Sequence, residues 1–177
     1  METTATTTGG VVDKDLHWYA VYTASRAEKK VKDRLNEAGI ECYLPLQTVI
    51  RIWSDRKKKV VVPVINGYIF VRIHITDFRK VQEIQGVAFF LKEKGKAVPI
   101  PDEQIKTLRF MVDNSEDEVE FSAEDFRPGA AVMITRGQLQ GLIGELVEVR
   151  GKYKVAIRLE NFGCALTTVS VGSLKKL

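Results

Sequence analysis

The sequence predicts an α+β chain in two parts: an antiparallel sheet packed with helices, an acidic linker, and then a small β-barrel. Three observations predict it. Strand-like and helix-like segments alternate through residue 112. Residues 113–125 carry seven acids and no bases. After residue 126, glycines recur at 129, 137, 141, 144, 151, 163 and 172, with short β runs between them.

The first strand is His17 to Thr23, rich in aromatic and β-branched residues. Ser25-Arg26-Ala27-Glu28 matches a capping box, in which Ser25 accepts from the backbone at Glu28 and the Glu28 side chain reaches back. The helix it opens runs to about Ala38, with Gly39 as the stop and Ala27, Val31, Leu35 and Ala38 as its apolar stripe. Residues 40–53 read as extended and interrupted by Pro45. A polar turn over Ser54–Lys58 leads to a returning strand, Lys59–Pro63. Tyr68 to Ile75 is the strongest strand signal. Asp77 is positioned to cap a short helix to Ile84, and Val87–Leu91 is a further strand. Pro101-Asp102-Glu103 opens a helix with residues its positive end favours, and Ile105, Leu108 and Val112 form its buried face.

The acidic stretch cannot bury much apolar surface and reads as a flexible linker. Beyond it, Tyr153, Val155, Ile157 and Leu159 alternate with Lys154, Ala156 and Arg158, as in a strand buried on one side. The expected organisation is therefore a disordered tail at 1–15, a first domain at 16–112, a linker at 113–125 and a β-barrel domain at 126–177.

Net charge of +4 conceals a partition, because without residues 113–125 the chain holds 27 bases against 16 acids. Two basic modules flanking an acidic connector fit polyanionic partners, and fit equally a soluble protein with a spacer. No apolar run approaches the roughly 20 residues of a membrane span. The Thr- and Gly-rich start lacks the pattern of a secretory signal, so a cytoplasmic protein is expected. Cys42 and Cys164 are far apart and read as reduced, half-buried fillers. His17 and His74 have no partner at ligand spacing, so no metal and no cofactor is expected. There is no P-loop, no nucleophile motif and no carboxylate pair outside the linker, so an enzyme is not expected.

Trp18-Tyr19 at the start of the first strand, Ile65-Asn66-Gly67-Tyr68-Ile69-Phe70-Val71, Gly86-Val87-Ala88-Phe89-Phe90 and Val98-Pro99-Ile100 resemble landmarks of the NusG family of transcription factors. Asn66 stands where the family usually has proline. From Phe126, the run Arg-Pro-Gly-Ala-Ala-Val-Met-Ile-Thr-Arg-Gly-Gln-Leu-Gln-Gly-Leu-Ile-Gly-Glu-Leu resembles a KOW motif. The resemblance implies an N-terminal NGN domain that binds RNA polymerase and an SH3-like KOW barrel. Cys42-Tyr43-Leu44-Pro45 looks more like specialised paralogues such as RfaH and the UpxY proteins of capsule-polysaccharide operons. The function implied is a non-enzymatic elongation regulator or operon-specific antiterminator. The alternative is an RNA- or ribosome-binding KOW protein, which has no need of the Trp18-Tyr19 strand or the Tyr68 and Phe70 face.

Tyr68 and Phe70 lie two apart and share one strand face. Ile65 and Phe90 are candidates to join them. By resemblance, these four form the apolar cavity for the tip of the polymerase clamp helices; the residues alone fit core aromatics as well. Arg26, Lys30 and Arg34 line a helix face that suits either solvent or the phosphates of the non-template strand in the transcription bubble. Arg56, Lys57 and Lys58 near the hairpin tip suit a nucleic-acid or polymerase contact, or protection of the hairpin against edge pairing. Phe162 lies in a sequence that reads as a turn, Glu160-Asn161-Phe162-Gly163. In housekeeping NusG proteins the matching phenylalanine contacts a small-subunit ribosomal protein or the termination factor Rho. Here Asn161 replaces an apolar neighbour and Cys164 a basic one.

Overall fold

The computed structural model describes residues 15–124 and 126–177. Residues 1–14 of the expected tail, and Asp125, lie outside them.

In chain order the elements are β1 (His17–Thr23), α1 (Glu28–Glu37), β2 (Glu41–Tyr43), β3 (Leu46–Trp53), β4 (Arg56–Pro63), β5 (Tyr68–Ile73), α2 (Phe78–Gln82), β6 (Val87–Phe90), β7 (Lys92–Glu93), β8 (Lys96–Ala97) and α3 (Asp102–Asn114). They continue with β9 (Glu120–Ser122), β10 (Ala130–Ile134), β11 (Ile143–Val149), β12 (Lys152–Leu159), β13 (Gly163–Thr168) and β14 (Leu174–Lys176). The first sheet has the order β2-β5-β1-β6 and is antiparallel throughout. Strands β3 and β4 form a separate two-stranded hairpin.

Period-2 alternation divides the first sheet into two faces. Tyr19, Val21, Ile69, Val71 and Ile73 point to one side, where Val31 and Leu35 of α1 and Val81 of α2 cover them. Trp18, Ala20 and Phe70 point to the other, where Ile105, Leu108 and Met111 of α3 pack. Ile69, Phe70 and Val71 are fully buried, which is why Tyr68–Ile73 stands out so strongly in the sequence. Each such side chain contributes about 1.5–3 kcal/mol relative to exposure.

The capping box does not form. Helix α1 begins at Glu28 with no side-chain cap, and Arg26 before it has φ 57°. Glu28 instead reaches across to the turn just before β5, where it accepts the Gly67 N–H at 2.9 Å. Gly67 has φ 79°, and a β-carbon there would sit 3.1 Å from the Tyr22 ring. The position therefore needs glycine for both backbone and space.

The C-terminal strands form a six-stranded antiparallel sheet in the order β14-β10-β11-β12-β13-β9. The expected antiparallel strands are present, but β14 and β9 are edges, so this sheet is open where the sequence reading closed it into a barrel. Strand β12 also departs from the expectation, because it is buried on both faces. Val155, Ile157 and Leu159 join the main core. Ala156 packs on the opposite side with Val147, Cys164 and Leu166. Lys154 lies on that side too, only 7% exposed, with its ammonium 2.8 Å from Glu120. Cys42 is half-buried, as expected, whereas Cys164 is buried rather than half-buried.

The acidic segment is not a plain tether. Its first two residues finish α3, and Glu120–Ser122 form β9 against β13. Between these, Val119 exchanges two backbone–side-chain hydrogen bonds with Gln47 of β3, both 2.8 Å. Ser115 Oγ lies 2.9 Å from Thr167 Oγ1 of β13. Buried Val119, partly buried Phe121 and the pairing of β9 with β13 together dock a stretch rich in acids. Helix α3 consequently lies between the two sheets, against β1 and β3 on one side and β12 on the other.

Candidate functional site

Tyr68 and Phe70 share the α3 side of the first sheet, with Ile65 in the same core. Tyr68 is partly buried, whereas Phe70 and Ile65 are buried. Phe90 does not join them. It points to the opposite face, edge-on to Tyr19 at 6.1 Å and 4.7 Å from Phe78. The reason is register: Phe90 pairs with Val21, whose side chain faces α1, while Phe89 pairs with Tyr22.

The alternation that carries Phe90 inward turns Phe89 outward. Phe89 is 51% exposed and stacks on Tyr22 at 4.8 Å, and Tyr22 meets Tyr68 edge-on at 5.2 Å. Phe89, Tyr22 and Tyr68 thus form a continuous aromatic strip leading to Phe70. Sequence reasoning missed Tyr22 and Phe89, although the i, i+2 series Trp18, Ala20, Tyr22 carries the signal for the first. Burial holds the Tyr68 phenol above its ordinary pKa, with Tyr22 adding to the shift, so it is a neutral hydroxyl at physiological pH. Deeper in the face, Tyr43 stacks with Phe70 at 6.2 Å and carries the Arg109 guanidinium 4.4 Å over its ring.

Phe162 covers the inner end of this strip. It sits in the β12–β13 turn, where Asn161 adopts φ 52° and the Phe162 N–H donates to Leu159 O at 3.0 Å. Its ring lies 4.7 Å from Tyr68, 6.0 Å from Phe70 and 4.8 Å from Phe121. Three hydrogen bonds fasten the turn to the first part of the chain. The Glu160 N–H donates to Gln104 Oε1 at 2.7 Å, Gln104 Nε2 donates to Glu160 Oε2 at 3.4 Å, and Asn161 Nδ2 donates to Glu93 Oε2 at 2.8 Å. The two surfaces that the sequence singled out for different partners therefore bury one another.

The basic candidates are dispersed. Arg26 precedes α1 in a left-handed conformation, so it does not continue the helical spacing of Lys30 and Arg34. Lys30 is exposed, and Arg34 donates to the Gln85 carbonyl at 2.8 Å. In the hairpin, the turn is only Ser54-Asp55, and Arg56 to Lys59 lie within β4. They alternate between faces. Arg56 and Lys58 pair with Trp53 and Arg51, whereas Lys57 and Lys59 pair with Ile52 and Ile50.

A family model described as "Transcription termination factor nusG" matches residues 16–109, more than half of the chain. The chain belongs to the NusG family. Similar curated proteins carry the name transcription termination/antitermination protein NusG. That of Chlamydia trachomatis is 27% identical over 158 residues, covering 82% of this chain and 86% of the relative. That of Rickettsia bellii is 24% identical over 160 residues, covering 84% and 83%. A solved structure described as domain interaction in Thermotoga maritima NusG is 22% identical, covers 92% of this chain and 97% of that one, and has a TM-score of 0.48. Membership in the NusG family makes this chain a factor of transcription elongation and termination. Among the described residues, no helix is long and apolar enough to cross a membrane, and no group of three or more His, Cys, Asp or Glu side chains gathers at metal-binding distance.

Proposed function

We propose that the chain is a non-enzymatic regulator of the cytoplasm that binds RNA polymerase through the Tyr68 face and promotes processive elongation. The aromatic strip Phe89–Tyr22–Tyr68–Phe70 supports this reading, because a family factor needs an apolar surface for the polymerase clamp helices and this strip is a continuous, partly exposed aromatic surface. Ile65 and Phe70 form its floor, and Tyr22 and Phe89 extend it outward. Holding a clamp closed is differential binding and needs no chemistry from the chain. By the same reading residues 16–112 act as an NGN domain and 126–177 as a KOW domain.

Phe162 and the clamp tip compete for one surface under this proposal, so polymerase captures the chain when the C-terminal sheet leaves. Release of that sheet also frees Phe162 for a ribosomal protein or Rho. Such mutual covering suits an operon-specific antiterminator of the RfaH or UpxY kind, whose action is confined to recruited complexes. Arg56 and Lys58 on one face of the hairpin, and Lys30 on α1, are then the exposed cations available to the nucleic acid of the transcription bubble. The test is a pull-down with core polymerase, with and without ribosomes. Retention by polymerase alone is expected, weak for the native chain and stronger for Phe162→Ala; retention only with ribosomes in both would favour the RNA- or ribosome-binding reading instead.

A further inference from the structure

The β3–β4 hairpin has two chemically distinct faces. Directly opposed residues in an antiparallel pair share a face. One face is continuous with the core at its base, through Val49 and Gln47, and runs outward as Arg51 and Lys58, then Trp53 and Arg56. The other presents Ile50 and Ile52 between Lys59 and Lys57. On the first face Trp53 is 52% exposed, although an indole normally finds cover, and Lys58 Nζ stands 5.1 Å from its ring centroid. Arg56 Nε also stands 3.8 Å from Asp55 of the turn, a highly exposed pair that solvent screens. An exposed aromatic platform among three cations is the arrangement that single-stranded nucleic acid uses: bases stack on the ring and phosphates meet the charges. Duplex suits it less, because its bases are already stacked.

The inner end of this face is already met by an anion. The acidic segment crosses it where Val119 binds Gln47, and Glu118 Oε1 lies 3.8 Å from Arg51 Nη2, both side chains about half exposed. Glu116 and Asp117 precede it in the chain.

We infer that the Trp53 face of the hairpin is a single-stranded nucleic-acid site, with one base on the Trp53 ring and phosphates on Arg51, Arg56 and Lys58, and that Glu118 competes for its inner end. This rests on the reading of the hairpin cations as a nucleic-acid contact and extends it to a named face, an aromatic group and an internal competitor. Lys57, on the opposite face, is outside the site.

The chain reports on this site directly, because it has two tryptophans and the other, Trp18, is only 5% exposed. The full chain is titrated with a 12-nucleotide oligo(dT) at low salt while tryptophan emission is followed. Quenching is expected, and Trp53→Ala should remove it and weaken binding about tenfold. Arg56→Gln with Lys58→Gln should weaken binding and reduce the slope of log affinity against log salt by about 1.4, at about 0.7 per contact. Glu118→Gln should tighten binding several-fold. Binding that depends on Arg56 and Lys58 but leaves Trp53 emission and the Trp53→Ala affinity unchanged would overturn the stacking site while sparing the hairpin contact. An affinity unmoved by Glu118→Gln would remove the competitor. No binding, or binding indifferent to Arg56 and Lys58, would overturn the site and the hairpin reading together.

Discussion

Replacing Phe162 by Ala removes the ring that the β12–β13 turn lays against Tyr68 and Phe70. Complete burial of a phenylalanine contributes about 1.5–3 kcal/mol, so the half-buried Phe162 ring accounts for about 1–2 kcal/mol. Its two aromatic contacts across the interface, at 4.7 and 6.0 Å, add about 0.5–1.5 kcal/mol each. At about 1.4 kcal/mol per decade, the population of undocked chain should rise on the order of a hundredfold. Native-state amide exchange reads this directly. The Glu160 amide, bonded to Gln104, and the Val119 amide, bonded to Gln47, should exchange correspondingly faster. Amides within β12 should not, because they are paired inside the C-terminal sheet. Unchanged exchange at Glu160 would refute the claim that Phe162 holds the parts together. Equal acceleration throughout β12 would show that the substitution unfolds the sheet rather than releasing it.

Four further outcomes follow from the same geometry. Tyr68→Ala and Phe89→Ala should each weaken polymerase binding by about 2 kcal/mol with the fold retained, whereas Phe70→Ala should destabilise the fold itself by about 3–5 kcal/mol in denaturant melts. Gly67→Ala should destabilise by about 1–2 kcal/mol, because alanine must adopt a positive φ and press on Tyr22; an unchanged melting midpoint would contradict this. Gln47→Ala should speed proteolytic cutting within residues 113–125 by several-fold, since it releases Val119. Burial holds the Cys42 thiol above its ordinary pKa, partly offset by Lys32, so its thiolate fraction at pH 8 is reduced; alkylation should be slower than for a free cysteine and should accelerate as pH rises through the shifted pKa.

The first sheet was legible because its signals are local. Tyr68–Val71 is continuously apolar, and Ile105, Leu108 and Val112 repeat at helical spacing. Errors arose where one residue decides between two partners. Glu28 fits a capping box, yet it bonds Gly67, and nothing local marks a turn 39 residues away as the acceptor's target. Phe89 and Phe90 are identical side chains, so only strand register tells which faces inward. The charges of the acidic segment point to a linker, and the hydrogen bonds that Gln47 makes to it have no signature in the sequence near it. Phe162 was found as an apolar residue in a turn, but its cover by Tyr68 depends on how the two sheets meet around α3.

If the Tyr68 face takes the polymerase and Phe162 keeps it covered, the two side chains act on binding in opposite directions. The most direct measurement is the dissociation constant for core RNA polymerase of the full chain, compared among the native sequence, Phe162→Ala and Tyr68→Ala. Covering reduces apparent affinity by the open fraction, so Phe162→Ala should bind up to about a hundredfold more tightly, and Tyr68→Ala more weakly, than the native chain. A folded Tyr68→Ala chain that binds as the native one does, together with no gain from Phe162→Ala, would contradict the account.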